Sequence, residues 1–177
     1  MTILEAVKAG LVPESVRLAA IAEGVSPEFL AQKIASGRAI VCANKNRREV
    51  RPLAIGEGLK VKVNSNIGTS KDISDLPMEL EKLAVSLECK ADTVMDLSTG
   101  GPLGEIRRKI IEKCPVPLGT VPLYQAIAES RIKNGGDMFA LGADEIFAVI
   151  EEQAREGVDF MTVHCGINRE SVRRMEG

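Results

Sequence analysis

The chain has 177 residues, 45% of them hydrophobic, which suits one domain with a sizeable core and argues against intrinsic disorder. Its 23 basic and 25 acidic residues are mixed along the sequence and leave a formal net charge of -2. That balance offers no general attraction to phosphate backbones or anionic lipid, and four Phe with one Tyr are too few for base stacking, so nucleic acid is excluded as an expected partner.

No apolar run approaches the roughly 20 residues needed to span a bilayer, and residues 1–10 have neither a basic nor an apolar leader region, so no membrane contact and a cytoplasmic location are expected. Cys42, Cys89, Cys114 and Cys165 stand far apart with no C-x-x-C spacing. Neither a zinc knuckle nor a redox pair is signalled, and four reduced, mostly buried thiols are expected.

Short helices are predicted over 2–9, 13–23 and 27–36, with Gly10, Gly24 and Gly37 placed to end them and Ser26 before Pro27 as an N-cap with proline at N1. A strand follows over 39–43. The basic stretch 45–51 and the Pro52, Gly56 and Gly58 that follow predict irregular or hairpin-like structure, and with it a boundary between an N-terminal helical cap, 1–58, and a main domain, 59–177.

From residue 59 strands alternate with helices. Strands are predicted over 59–63, 93–97, 116–121 and 160–163. The helix over 78–89 carries Leu80, Leu83, Ala84 and Leu87 on one face, the next is lined by Leu103, Ile106 and Ile110, a third covers 123–133, and the helix 143–156 buries Ile146, Val149, Ile150 and Ala154. A polar, glycine-bearing insertion occupies 134–142. Two junctions resemble each other, with Asp92 and Asp159 each standing just before a strand.

Repeated αβ units with nearly continuous apolar strands imply a parallel sheet covered by helices, so the fold class is α/β. With no G-x-G-x-x-G and no P-loop, a TIM-type (βα)8 barrel is favoured over a doubly wound sheet. A full barrel takes about 250 residues and eight strands. About four βα units follow residue 59, so the expectation is the first half of such a barrel, preceded by a small mostly helical segment.

In a barrel the site forms where each strand ends. Those ends are Asn64 to Ser70, Asp96 to Gly101, Gly119 to Tyr124, and His164 to Gly166. Each has a plain structural reading: Asn64 or Asn66 capping a loop, Asp96 and Ser98 bracing a turn, Gly100-Gly101-Pro102 making a tight loop, Met95 packing in a core, Tyr124 as a half-apolar wall residue, and His164 as a structural hydrogen-bonding group. Their coincidence at every strand end is what points to one pocket, in which a neutral imidazole could bind or exchange a proton. One histidine cannot make a two-histidine metal site, so no metal is expected to be held by this chain alone.

The stretches Val61-Lys62-Val63-Asn64-Ser65-Asn66-Ile67-Gly68, Ala91-Asp92-Thr93-Val94-Met95-Asp96-Leu97-Ser98-Thr99-Gly100, Pro115 to Ala126, and Gly157-Val158-Asp159-Phe160-Met161-Thr162-Val163-His164 closely resemble the phosphomethylpyrimidine synthase family, radical S-adenosylmethionine enzymes of thiamine biosynthesis. Segments 2–10 and 37–44 fit the family's opening, so the resemblance covers the whole chain. It implies a barrel lyase that rearranges 5-aminoimidazole ribotide into hydroxymethylpyrimidine phosphate, using S-adenosylmethionine, a [4Fe-4S] cluster and a zinc ion. Carried over by motif, Asn66, Met95, Tyr124 and His164 would bind substrate.

The family's C-x-x-C-x-x-x-x-C cluster motif, its histidine metal ligands and its phosphate-gripping loop have no counterpart in residues 1–177, so this polypeptide alone is expected to be inactive. Two further readings are a binding module for a phosphorylated imidazole ribotide that does not turn it over, and a structural half-barrel whose exposed edges drive homo-oligomerisation.

Overall fold

The computed structural model describes residues 1–137 and 140–175; Met138 and Phe139 of the predicted insertion, with 176 and 177, lie outside the described residues. Three helices open the chain: α1 (Ile3–Lys8), α2 (Glu14–Glu23) and α3 (Pro27–Ala35). Thr2, predicted as the first helical residue, is instead the N-cap and closes a capping box with Glu5 on α1, while the Ser26 hydroxyl accepts from Phe29 N ahead of Pro27, as the sequence predicts. Gly24 ends α2 in the left-handed conformation, with φ of 75°. Next come β1 (Ala39–Cys42) and β2 (Leu53–Gly56), an antiparallel pair. The basic stretch is the connection inside this hairpin. Its three helices and hairpin enclose one apolar cluster, centred on Val16, Ala20, Leu30 and Ile34.

The rest is β3 (Asn64–Ile67), α4 (Leu76–Glu88), β4 (Thr93–Asp96), α5 (Leu103–Lys113), β5 (Leu118–Thr120), α6 (Pro122–Lys133), α7 (Ala143–Glu156), β6 (Phe160–Met161) and α8 (Arg169–Met175). The four strands form a parallel sheet in sequential order, β3-β4-β5-β6. The architecture is therefore α/β with helices covering a parallel sheet. Apolar side chains from the covered face, Ile67, Val94 and Leu118, meet Leu83 of α4 and Ile106 and Ile110 of α5 in a second cluster. No helix among the described residues is long and apolar enough to cross a membrane.

The first strand of this sheet departs from the prediction. The apolar residues 59–63 are not a strand, and Val61 and Val63 are exposed. Side chains hold this segment to α2 instead: Lys62 Nζ lies 2.9 Å from Glu23 Oε1, and Lys60 N donates to Glu23 Oε2 at 2.9 Å. Pairing begins at Asn64, because an edge strand can carry polar residues. Ser65 Oγ meets Ser86 Oγ of α4 at 2.7 Å, and Asn64 Oδ1 accepts from Thr93 Oγ1 at 2.8 Å. Helix α8 has no counterpart in the prediction and buries no residue. α7 buries Val149 as expected and half-buries Ile146 and Ile150, but the other inward side chain is Gln153, 2% exposed, and Ala154 is exposed.

The resemblance between the two αβ junctions is a resemblance of contacts. Asp92, before β4, accepts from Val63 N at 2.7 Å, ahead of β3. Asp159, before β6, accepts from Leu118 N at 2.8 Å, the first residue of β5. Each carboxylate satisfies a backbone donor at the start of the preceding strand, which the slanted parallel ladder leaves unpaired.

Candidate functional site

Register sets out the open face of the sheet. Asn66 pairs with Met95, Met95 with Gly119, and Gly119 with Phe160, so four residues from four strands share one row. Gly119 is required in that row, since a Cβ there would overlap the Phe160 ring. Successive side chains alternate faces. The neighbouring row, Ile67, Asp96, Thr120 and Met161, therefore points to the helices.

Asn66 and Met95 are thus Cα partners on adjacent strands. Asn66 is exposed at the sheet edge and accepts from Asn64 Nδ2 at 3.0 Å. It lies within its strand rather than in a loop beyond it, because pairing starts later in the sequence than its apolar pattern suggests. Met95 is half-buried, and its Sδ is 3.9 Å from Thr162 Oγ1. Tyr124, in the first turn of α6, stacks on His164, which follows β6, with ring centroids 6.0 Å apart and planes at 27°. Tyr124 is half-buried and His164 exposed. The four candidates form two pairs, with Thr162, two residues before His164, touching Met95.

Behind the sheet is a polar network that sequence reasoning missed. Arg107, 3% exposed, donates through Nε to Glu156 at 2.5 Å and through Nη1 to Gln125 Oε1 at 2.6 Å, while Nη2 lies 3.6 Å from Glu152 Oε1. Gln153 Nε2 donates to the same Gln125 oxygen at 2.8 Å, and Gln153 Oε1 accepts from Thr120 Oγ1 at 2.6 Å. The signal was present: Arg107 stands four residues after Leu103, on the stripe of Ile106 and Ile110, and Gln153 stands four after Val149. Asp96 faces this network. Burial pushes its carboxyl above the ordinary carboxylate range, partly offset by hydrogen bonds from Ser98 and by the charge of Arg107.

Gly100 and Gly101 are there for close packing, since a Cβ on Gly100 would collide with the Ser70 backbone and one on Gly101 with the Ser74 side chain. A cavity of about 520 Å³ opens nearby between the 99–104 loop and α6, lined by Lys71, Leu103, Arg131 and Ile132, but none of the four candidates borders it. Of the four thiols, Cys42 and Cys114 are buried and Cys89 and Cys165 exposed, so mostly buried cysteines is a correct expectation for only two. Burial pushes the Cys42 thiol up to about 11, with the Asp159 carboxylate adding to it. Among the described residues no group of three or more His, Cys, Asp or Glu could hold a metal ion.

Comparison with known proteins gives a consistent result. The profile of the Radical SAM ThiC family matches residues 2–177. Over 176 residues the chain is 45% identical to the phosphomethylpyrimidine synthase 1 of Methanothermobacter thermautotrophicus, covering 99% of this chain and 40% of that protein. It is 48% identical, also over 176 residues and 99% of the chain, to the phosphomethylpyrimidine synthases of Desulforamulus reducens and Thermodesulfovibrio yellowstonii, covering 40% and 41% of them. The chain spans about two fifths of the length of these curated relatives.

Proposed function

The chain belongs to the Radical SAM ThiC family, and from that premise we propose that it is the N-terminal part of a phosphomethylpyrimidine synthase, contributing one wall of the pocket for 5-aminoimidazole ribotide. The observation that carries this reading is the pairing of Asn66 with Met95 and of Tyr124 with His164 at the carboxyl ends of parallel strands, where α/β enzymes bind ligands. The chemistry suits a flat amino-imidazole: Asn66 supplies an amide that both donates and accepts, Met95 a polarisable thioether against a ring face, and Tyr124 and His164 a hydroxyl and an imidazole edge. Sequential strand order supports a barrel, with residues 1–58 as a cap and 59–177 as its first four βα units.

The full reaction, from ribotide to hydroxymethylpyrimidine phosphate in thiamine biosynthesis, draws on S-adenosylmethionine and a [4Fe-4S] cluster. The residues of this chain do not fit the cluster: Cys42 and Cys114 are buried and their thiols are pushed upward, and among the described residues Cys89 and Cys165 belong to no ligand group. His164 likewise has no companion ligands for zinc among the described residues. No catalytic step is assigned to this chain, whose role in the proposal is to bind and orient the substrate in the cytoplasm. Homo-oligomerisation belongs to the same reading, since β3 and β6 each pair on one side only among the described residues; a stable monomer in light scattering would count against it.

Titration calorimetry with the ribotide tests the site. Binding that is lost in His164→Ala and Asn66→Ala supports it, and a folded wild-type chain that releases no heat sinks it. Anaerobic, reconstituted chain alone should form no pyrimidine phosphate. Co-production with the remaining three fifths of the Desulforamulus reducens relative should restore formation.

A further inference from the structure

Beyond the last rungs of their ladder, the ends of β3 and β4 stay joined through side chains. Asp96 Oδ1 accepts from Ser98 N at 3.0 Å and from Ser98 Oγ at 2.5 Å. Ser98 Oγ in turn accepts from Thr69 N at 3.0 Å, and Thr69 Oγ1 donates to Gly100 O at 2.6 Å. Thr99 N closes the set on Thr69 O at 2.9 Å. Thr69, Asp96 and Ser98 are all buried. A serine hydroxyl has one hydrogen, so donating it to the carboxylate leaves a lone pair turned to Thr69 N, and the carboxylate thereby sets the direction of the chain of bonds. The backbones are pressed together here: a Cβ on Gly68 would stand 2.6 Å from Ser98 N.

This clasp begins one residue after Met95 and three after Asn66, on the opposite face. A turn could be braced without three buried polar side chains, each of which costs stability if left unpaired. A fully satisfied buried network, by contrast, selects one arrangement of the elements it joins. The geometry points to Asp96, Ser98 and Thr69 as positioning residues that hold Asn66 and Met95 at a fixed spacing toward the substrate. The ligand in this inference rests on the proposed function; the clasp and the pair it sets do not.

The experiment uses the full chain with 13C-labelled methionine methyls, the Met95 resonance being assigned by its loss in Met95→Leu. Ser98→Ala and Thr69→Val cut the clasp at two independent points. Each should shift the Met95 methyl resonance and weaken ribotide binding on the order of tenfold, and Ser98→Thr, which keeps the hydroxyl, should restore both. A merely structural brace would lower the melting temperature while leaving resonance and affinity of the folded protein in place, and that outcome overturns the inference. If the wild-type chain does not bind the ribotide, the substrate reading fails by itself, and the Met95 resonance alone decides the positioning role.

Discussion

The two αβ junctions use one rule at different energetic depth. Asp92 and Asp159 both accept a backbone N–H at the start of the preceding strand. Asp92 is half-buried and borders a surface cavity with Arg51 and Lys60. Asp159 has a side chain 0% exposed, accepts also from Asn44 N at 3.0 Å, and pairs with the buried Arg47 guanidinium. That guanidinium also donates to the Cys114 carbonyl at the end of α5. The difference lies in what a sequence-distant segment brings: the 44–47 turn converts a local strand-start contact into a hub. A short motif therefore fixes a contact, and tertiary context decides its weight.

Removing the hub carboxylate is the sharpest way to break this comparison. Asp159→Ala leaves Arg47 buried without its counter-charge and should cost about 3–5 kcal/mol in chemical denaturation. Asp92→Ala removes a bond at the surface and should cost about 1 kcal/mol. Equal losses would mean that the two junctions carry equal weight.

Thiol chemistry sharpens it further. Burial and Asp159 together hold the Cys42 thiol up at about 11, so at pH 8 only exposed Cys89 and Cys165 should react quickly with a disulfide reagent. Asp159→Ala removes the lesser of the two causes, so Cys42, 2% exposed, should react faster than in wild type yet remain slower than Cys89 and Cys165, whereas Asp92→Ala should leave its rate unchanged. The smallest effect concerns Asp96, which is buried like Asp159 but held by Ser98 and not by a direct ion pair. Its carboxyl lies above the ordinary value of 3.8, so its contribution to stability is full below that pH and is lost as pH rises through the raised folded value. Asp96→Asn keeps the acceptor without the titration. The stability of wild type relative to this variant should therefore fall between acid and neutral pH in urea titrations, and a flat difference would contradict the burial effect.

Much of the fold was legible because its signals are local. The cap at Ser26, the helix 143–156 and the αβ repeat all follow from spacing and residue type. The first parallel strand was not, because Val61 and Val63 carry an apolar pattern while Lys60 and Lys62 commit that segment to Glu23, and strand pairing passes to Asn64, Ser65 and Asn66. At the site, strand-end reasoning selected Asn66, Met95, Tyr124 and His164, and the sheet register joins the first two while ring stacking joins the last two. Thr162 and the Arg107 network were missed because their partners come from distant elements, although Arg107 and Gln153 interrupt apolar stripes in a way that could have flagged them.

The Arg47 to Asp159 tether also orders events in time. Its two ends are 112 residues apart. On a ribosome adding about 5–20 residues per second, the guanidinium waits several seconds for its carboxylate. The opening helices and hairpin, whose contacts are close in sequence, can form at once, while docking of the 44–47 turn must await the fourth parallel strand. Until then the Arg47 guanidinium has no counter-charge, and burying it unpaired would cost more than leaving it in water.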